Sequence, residues 1–282
     1  MVSKLNPMYA LKSARPLQKT LAVDWQDGFS THFAYVWLRD NGHRRPSLIH
    51  LDLHTKPEDV GCKDGAVSIT WPPFLNAMYT SRFLRDHANI KPIHSTTCPV
   101  TKKVLQVPWR IEHRPVAEDN VCMASTSWGS NAVEHGTVFP HLMSVPSIVT
   151  LDTDWADAQV NLIDGVQCLS EMSYTYPEEF RFLRKLFIEY ENGIFRAAHP
   201  IMNIEHERIT GVCFNNELRS PELTTESIEA FYTSLKVFHR ICCDHTHTIT
   251  LQPQQRIVVD NSQTFIGAPP QYGRRVNVKI FN

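Results

Sequence analysis

The stretch PSIVTLDTDWADAQVNLIDGV, residues 146–166, contains two runs rich in β-branched residues with a polar segment between them. Because β-branched side chains pack well on a pleated strand, each run predicts a β-strand. Nearer the C-terminus, RIVVDNSQTF at 256–265 and RRVNVKIF at 274–281 have the same character and predict closing strands. Short strands in series, with two or three packed helices, are typical of a β-sandwich or a jelly roll.

Two segments of this C-terminal part predict helices instead. PEEFRFLRKLF at 177–187 begins with a proline, which suits the first position of a helix. TTESIEAFYTSLKVFHRICCD at 224–244 combines a threonine cap with apolar residues on one helical face. HPIMNIEHERITGVCFNN at 199–216 predicts a hairpin. Residues 131–282 are therefore expected to form a jelly-roll domain with some helix.

The N-terminal part predicts a small β-rich module over residues 18–90. TLAVDWQDG and STHFAYVWLRDNG, at 20–28 and 30–42, suggest two strands around an Asp-Gly turn. GAVSITWPP at 65–73 predicts a third strand that its prolines end, and AMYTSRFLRDHAN at 77–89 predicts a short amphipathic helix. From 91 to 130 repeated prolines interrupt a poor pattern, which we interpret as linker or eroded structure.

The bulk composition narrows the class of protein. With 282 residues, 42% hydrophobic content and a net charge of −1, the chain is typical of a soluble globular protein. The absence of a basic excess argues against nucleic acid as a partner, and no apolar run is long enough to predict a membrane span. Seven scattered cysteines favour reduced thiols inside the cell. The basic N-terminus is compatible with a mitochondrial presequence or with an ordinary frayed end, so the expected location is mitochondrial or cytoplasmic, with a lean to mitochondrial.

The segment IHLDLH at 49–54 has metal-ligand residues at every second position. On a strand, His50, Asp52 and His54 would share one face. Two histidines and a carboxylate form the ligand set of non-haem iron oxygenases. The alternative is a polar strand face beside a loop.

A family resemblance appears when six short motifs are taken in order. The motifs are VWLRDN (36–41), ITWPP (69–73), LIDGVQ (162–167), PEEFRFL (177–183), FNNELR (214–219) and VVDN (258–261). Their order and spacing resemble the γ-butyrobetaine and trimethyllysine dioxygenases, which belong to the TauD-like oxygenases. The resemblance implies a double-stranded β-helix (jelly roll) behind a small N-terminal module. It also implies Fe(II) and 2-oxoglutarate as cofactors, and hydroxylation of a trimethylammonium substrate in carnitine biosynthesis.

The resemblance also places IHLDLH in the accessory module rather than in the catalytic domain. There the family binds a structural zinc through loop cysteines and a histidine that follows the TWP strand. In this chain the loop is GHRRPSL (42–48), without cysteine, and Leu75 stands where that histidine is expected. Zinc is therefore not expected there, although His43, His50 and His54 provide an alternative set of donors.

The iron ligands of the family are matched at one position of three. In GTVFPHLM (136–143), His141 matches the proximal histidine and Met143 stands in place of the aspartate. Ile266 stands in place of the distal histidine. If the register shifts across this shortened segment, the substitute ligands are His135, Glu134 and Asp152.

The resemblance assigns further roles near the C-terminus. Arg275, and after it Arg274, match the arginine that binds 2-oxoglutarate, since a guanidinium fits a carboxylate with two hydrogen bonds. The alternative for this pair is a solvated position on an edge strand. Substrate-side roles fall on Asn215, Arg219 and Asn131. Trp128, Phe139 and Tyr272 are candidates for an aromatic cage that holds the trimethylammonium group by cation–π contact. Core packing would equally explain these three aromatic residues.

Three functional interpretations follow. The first is a 2-oxoglutarate dioxygenase of the carnitine-biosynthesis type acting on γ-butyrobetaine or trimethyllysine. The second is a pseudoenzyme, a relative with the same fold that acts as a binding or scaffold protein without iron. The third is an incomplete product that folds poorly, with a jelly roll that is not whole. Whether the protein forms a homodimer is left open by the sequence.

Overall fold

The computed structural model describes residues 6–43, 45–63, 65–90, 105–114, 122–128, 133–222, 225, 227–270 and 275–281. Within these ranges most regular structure is antiparallel β-sheet, which confirms a mainly β chain with some helix. The chain divides into two compact units. The first comprises residues 1–92 and 221–233, and the second comprises 93–220 and 234–282.

The first unit contains two three-stranded antiparallel sheets. The sheets are β1-β2-β3 and β4-β5-β6, with these strands: β1 (Leu11–Pro16), β2 (Thr20–Trp25), β3 (Ser30–Ala34), β4 (Asp59–Lys63), β5 (Ala66–Trp71) and β6 (Leu75–Thr80). A 3₁₀ helix covers Pro7–Tyr9, and two short helices follow strands: α1 (Tyr35–Asp40) and α2 (Ser81–Asp86).

The predicted hairpin around Gly28 is confirmed. Gly28 has a φ of +89°, a conformation that glycine adopts without steric cost, and β2 pairs with β3 across the turn. The second predicted strand ends earlier than expected, at Ala34, and continues as α1. Because nearly every side chain of α1 is buried, its sequence has no polar face that would have indicated a helix.

Three other expectations in this unit are corrected or refined. The helix expected over 77–89 begins only at Ser81, where Thr80 Oγ1 accepts a hydrogen bond from the Phe83 amide at 3.1 Å. The IHLDLH segment forms turns rather than a strand, so its alternate residues do not share a strand face. Its Asp52 accepts a hydrogen bond from the amide of His54 at 2.9 Å. This local bond stabilises a turn instead of extended backbone.

The second unit contains the two larger sheets, two hairpins and most of the helix. Its strands are β7 (Trp109–His113), β8 (Cys122–Trp128), β9 (Val133–Gly136), β10 (Ile148–Asp152), β11 (Ala158–Asp164), β12 (Phe187–Asn192), β13 (Phe195–Pro200), β14 (Met202–Glu205), β15 (Arg208–Val212), β16 (His247–Leu251), β17 (Gln255–Asp260), β18 (Thr264–Ala268) and β19 (Val276–Phe281). Its helices are α3 (Gly165–Thr175), α4 (Pro177–Leu183) and α5 (Ile228–Asp244), and α5 begins within the chain segment of the first unit.

The order of the strands identifies a jelly roll. The large sheet is β7-β17-β10-β19-β8, and the small sheet is β16-β11-β18-β9. Along the chain, β8 to β11 alternate between the large and the small sheet, and β16 to β19 do so in the opposite phase. These eight strands form the two sheets of a double-stranded β-helix, and β7 extends one edge. The shortening expected from the sequence therefore removes no strand.

Apolar side chains of both sheets form one core. They are Val149, Leu151, Ile257, Val259, Val276 and Val278 from the large sheet, and Val160, Leu162, Leu251 and Ile266 from the small sheet. Each is almost completely buried, and burial of such a side chain contributes roughly 1.5–3 kcal/mol relative to exposure. The β-branched runs that predicted strands are thus the residues that hold the two sheets together.

Several sequence predictions in this unit are confirmed and one is corrected. Helix α4 begins at Pro177, β14 and β15 form the expected hairpin, and α5 is the long helix. The range 91–130, interpreted as linker or eroded structure, contains two strands of the large sheet, β7 and β8. Pro108 precedes β7, and its carbonyl accepts a hydrogen bond from the Asp260 amide at 2.9 Å, so this proline marks the start of a strand.

Among the helices in the described ranges, none combines the length and the apolar character that crossing a membrane requires.

Candidate functional site

A cavity of about 190 Å³ opens in the jelly roll beside β9 and β18. Its lining includes apolar groups from the core and polar groups from the loops and strand ends. The residues that matter chemically are Glu134, Phe139, His141, Asn215, Glu217 and Ile266. The sequence prediction placed His141 and Ile266 in one site, and the fold brings both to this cavity.

Three residues of β9 line the cavity. Glu134 and Gly136 do so on either side of His135, as alternation along a strand predicts, and Val133 joins them where the pairing of β9 with β18 is irregular. Gly136 pairs with Ile266 across the sheet. A Cβ atom on Gly136 would lie 2.9–3.0 Å from atoms of Asn215, so glycine allows that asparagine to approach the strand. The Asn215 amide donates to the Thr137 carbonyl at 3.1 Å. Asn215 therefore shapes the cavity wall, while its predicted contact with substrate stays a prediction.

His141 has a free nitrogen in a buried position. Its side chain is 7% exposed, its ring lies 6.2 Å from that of Phe139, and its Nδ1 has no hydrogen-bond partner among the described residues. Burial lowers the pKa of His141 below the usual value, so the imidazole is neutral at pH 7. A neutral imidazole with an open nitrogen can accept a hydrogen bond or bind a metal ion.

The two positions aligned with the missing iron ligands lie in different environments. Ile266 is 1% exposed and contributes to both the cavity wall and the core. Met143 is 67% exposed, so its side chain points away from the cavity into solvent. Neither a thioether nor an alkyl group suits Fe(II), which takes nitrogen and oxygen donors at such sites.

The substitute ligands proposed from a shifted register do not complete an iron site. Asp152 is buried on β10, where it pairs with Lys279 Nζ at 2.9 Å and accepts a hydrogen bond from Asn277 at 3.0 Å. Glu134 lines the cavity but accepts a hydrogen bond from Asn216 at 3.1 Å. Among the described residues, one set of three His, Cys, Asp or Glu ligand atoms lies within 4.8 Å, and it does not include His141. The residues of the cavity therefore do not fit a two-histidine, one-carboxylate iron centre.

Among the described residues, no lysine or arginine lines the cavity to bind the carboxylates of 2-oxoglutarate. Arg275 is exposed at the start of β19, and its carbonyl accepts a hydrogen bond from Thr153 Oγ1 at 2.6 Å. Arg219 is buried and donates to Asn216 Oδ1 at 3.2 Å. Neither lines the cavity, and their predicted ligand contacts stay predictions. Arg274, Asn131 and Tyr272, as well as the side chain of Trp128, lie outside the described residues.

The charge that the cavity does contain is negative. The Glu134 amide donates to Glu217 Oε1 at 3.0 Å, which places the two acidic residues side by side. Partial burial, and to a smaller extent the neighbouring Glu134, raises the pKa of Glu217 above its usual value. Two carboxylates beside a neutral imidazole give the cavity a negative potential. The sequence did not single out Glu217, because FNNELR was interpreted through its asparagine and arginine.

A second group of chemically active side chains lies on the opposite face of β9. His135 stacks on His239 of α5 with ring centroids 4.6 Å apart and planes at 17°. Burial, and then the charge of His239, lowers the pKa of His135 to about 3. These two histidines and Cys243 form the set within 4.8 Å. The sequence signal for it was the spacing of His239 and Cys243, four residues apart on a helix, which places both on one face.

Comparison with known proteins gives similarity to solved structures only. No protein-family model and no curated protein matches the chain. A taurine dioxygenase from Burkholderia xenovorans is 14% identical with a TM-score of 0.44, over 56% of this chain and 63% of that one. An asparagine oxygenase in complex with Fe(II), 3-hydroxyasparagine and succinate is 15% identical, with a TM-score of 0.44 over 54% of this chain and 50% of that one. The non-heme iron oxygenase OrfP in complex with Fe is 10% identical, with a TM-score of 0.42 over 55% of this chain and 54% of that one. This chain thus spans less than two thirds of the length of each.

Proposed function

We propose that this chain is a non-catalytic relative of the 2-oxoglutarate dioxygenases that binds a small cation of the trimethylammonium class in the jelly-roll cavity. The family relation is supported by the ordered sequence motifs, and the jelly roll is the fold that the family implies. The observation that carries the proposal is the pairing of Glu134 with Glu217 in a cavity that no described lysine or arginine lines.

The electrostatics of the cavity favour a cation over an anion. A unit charge about 5 Å from a carboxylate interacts with it by roughly 3 kcal/mol at an effective dielectric constant of about 20. Two carboxylates therefore attract an ammonium group, and at the same distance they repel each of the two charges of a dianion such as 2-oxoglutarate by a similar amount. The predicted anion ligand, Arg275, is exposed and does not offset this repulsion among the described lining residues.

Phe139 gives the cavity an aromatic face for the same ligand. It is buried in the lining, and its backbone has a φ of 58°, a left-handed conformation that is strained for a bulky residue. Such strain costs of order 1–3 kcal/mol and is concentrated at functional sites. A trimethylammonium group over an aromatic ring gains about 0.5–2 kcal/mol from cation–π attraction.

The size of the cavity limits the ligand. A volume of about 190 Å³ is below the roughly 300 Å³ at which pockets for drug-sized ligands begin. We therefore expect the cavity to hold a small molecule, such as γ-butyrobetaine, or the head group of a longer one, such as trimethyllysine.

The alternative function is an active hydroxylase of the carnitine type. One observation favours it: His141 has an open, buried Nδ1 in the cavity. The hydroxylase would need two further iron ligands, but Ile266 and Met143 stand at those positions. The proposed cation-binding function needs no iron ligand at either position.

Calorimetric titration with a matched pair of probes tests the proposal. Choline and its neutral carbon isostere, 3,3-dimethylbutan-1-ol, have the same shape and differ in one charge. We expect choline to bind about tenfold or more tightly than the isostere, and 2-oxoglutarate not to bind, because one carboxylate pair supplies at least the roughly 1.4 kcal/mol that tenfold requires. Titration of γ-butyrobetaine and trimethyllysine then ranks the two expected ligands.

Variants locate the site. Glu217→Gln and Glu134→Gln should each weaken choline binding severalfold, whereas Glu205→Gln, an exposed residue on β14, should leave it unchanged. Equal affinity for choline and its isostere, or tight binding of 2-oxoglutarate to the unsubstituted chain, would overturn the proposal.

A further inference from the structure

The outer face of the small sheet brings three metal-binding side chains together. His135 extends from β9, and His239 and Cys243 extend from α5. One ligand atom from each lies within 4.8 Å of the other two. On a helix, residues four apart lie on the same face, so α5 presents both its donors to the strand.

The residues of this cluster do not line the acidic cavity. Side chains alternate over residues 134–136 of β9, so His135 points to the face opposite Glu134 and Gly136. The two sites are nevertheless close, because burial and then the charge of Glu134 raise the pKa of the Cys243 thiol. The same alternation on β18 directs Ile266 to the cavity side and Phe265 to the helix side, where its ring lies 6.3 Å from His135. A ligand of the cluster would therefore lie between sheet and helix, and a ligand of the cavity on the other side of the sheet.

His135 has an unused ligand atom. Its Nε2 is buried, and no described residue forms a hydrogen bond with it. Buried polar atoms without a partner are rare in folded proteins, and each calls for an explanation. Cys243 is only partly buried, which leaves a route from solvent to the cluster.

We propose that His135, His239 and Cys243 bind a zinc ion, with the fourth position open to water or a small ligand. Imidazole nitrogens and thiolates are both ligands that zinc takes, and zinc sites with three protein ligands leave a fourth tetrahedral position for water or a ligand. The thiolate disfavours calcium and magnesium, which take oxygen ligands. None of the motifs that carry the family resemblance includes these residues.

The geometry requires a modest rearrangement. With metal–ligand bonds of about 2.0–2.3 Å, ligand atoms in a tetrahedral site are roughly 3.3–3.8 Å apart. The present separations, of up to 4.8 Å, must shorten by about 1 Å. The near-parallel rings of His135 and His239 must also rotate so that their nitrogens converge. Both changes are rotations of side chains on rigid elements, β9 and α5.

Zinc affinity and a cobalt spectrum test the proposal on the full chain. After chelator treatment with a reductant that contains no thiol, competition with a chromophoric chelator should show one tight zinc per chain. Cobalt(II) in place of zinc should give the thiolate-to-cobalt charge-transfer band in the near ultraviolet. Cys243→Ser and His239→Gln should each weaken zinc binding about 100-fold or more, since loss of groups that merely support a ligand already costs 10–100-fold.

Matched controls separate this site from adventitious binding. Cys62→Ser and His206→Gln replace an exposed cysteine and an exposed histidine elsewhere, and should bind zinc like the unsubstituted chain. Glu217→Gln should also keep zinc, which distinguishes failure of this proposal from failure of the cation-binding cavity. Equal losses in site and control variants would overturn the zinc site. If Cys243→Ser does not fold, the cobalt spectrum of the unsubstituted chain decides, and absence of the thiolate band refutes the site.

Discussion

The two faces of β9 carry opposite chemistries. The inner face, with Glu134 and Gly136, borders an acidic cavity in which no iron triad is assembled among the described residues. On the outer face, His135 lies close to His239 and Cys243, so three side chains that can bind a metal lie together. Because side chains alternate, a single residue step along the strand separates a site suited to a cation from a cluster suited to zinc.

This difference shows why ligand residues cannot be counted from a motif alone. A histidine in the expected segment supports an iron site only if its strand position directs it to the inner face. His135 fails that condition, and His141 meets it, because it lines the cavity from the loop after β9. Yet His141 lacks the two partners that the triad needs. The inner face therefore lines a cavity of the jelly roll without assembling the three ligands of an iron centre among the described residues.

The strongest test of the difference between the two faces introduces the two unmatched iron ligands at positions 143 and 266. Ile266→His should destabilise the protein by about 3–5 kcal/mol, because it removes a fully buried core side chain and buries a polar ring. Met143→Asp should change the free energy of unfolding by less than about 0.5 kcal/mol, because Met143 is 67% exposed. Urea denaturation measures both changes.

The double variant Met143→Asp with Ile266→His should not gain iron affinity, because residue 143 points into solvent. Stoichiometric Fe(II) binding by that variant would contradict the placement of Met143. A small stability loss in Ile266→His would show that the inner face has room for an imidazole.

A smaller effect is expected from the aromatic face of the cavity. Phe139→Leu should weaken choline binding by about threefold to tenfold, because it keeps an apolar side chain but removes the cation–π attraction. Phe139→Tyr should retain the affinity. Phe74→Leu, at a residue that is 83% exposed in the first unit, is the matched control and should have no effect in the same calorimetric titration. Unchanged choline affinity in Phe139→Leu would show that the Phe139 ring does not contribute to binding.

The smallest expected effect is on stability against pH. The folded protein raises the pKa of Glu217 above its usual value of 4.5, so the ionised carboxyl lowers the free energy of unfolding at pH 7. This destabilisation disappears when the pH falls below the pKa that Glu217 has in the unfolded chain. Glu217→Gln should therefore raise the Tm slightly at pH 7, by about 1 °C or less for a partly exposed group, and not at pH 4. Calorimetric melts at both pH values measure this. An equal rise in Tm at both values would assign the effect to packing instead of charge.

The sequence predicted the fold better than the site. Runs such as SIVTLD and RIVVD predicted strands because β-branched side chains pack between two sheets. Helix α3 was missed because the apolar run of β11 leads directly into it, although Asp164 caps it by accepting a hydrogen bond from the Gln167 amide at 2.9 Å. Such a cap is visible in a sequence only once the end of the strand is known.

The site depended on information that no local pattern contains. Glu134 and Glu217 are 83 residues apart, and the Glu134 amide bonds to the Glu217 carboxyl only after β9 and the segment following β15 come together. His135 lies more than a hundred residues from His239, so the outer cluster also requires the fold. By contrast, the absence of a ligand at 266 could be predicted, because an isoleucine cannot bind iron in any conformation.

The most direct test of the account is succinate formation from 2-oxoglutarate by the unsubstituted chain, supplied with Fe(II), a reductant and γ-butyrobetaine. With Ile266 and Met143 at two ligand positions, we predict no succinate above a protein-free control, while γ-butyrobetaine still binds in calorimetry. Sustained succinate formation that depends on γ-butyrobetaine and is abolished by His141→Ala would contradict the account and identify the cavity as a working iron site.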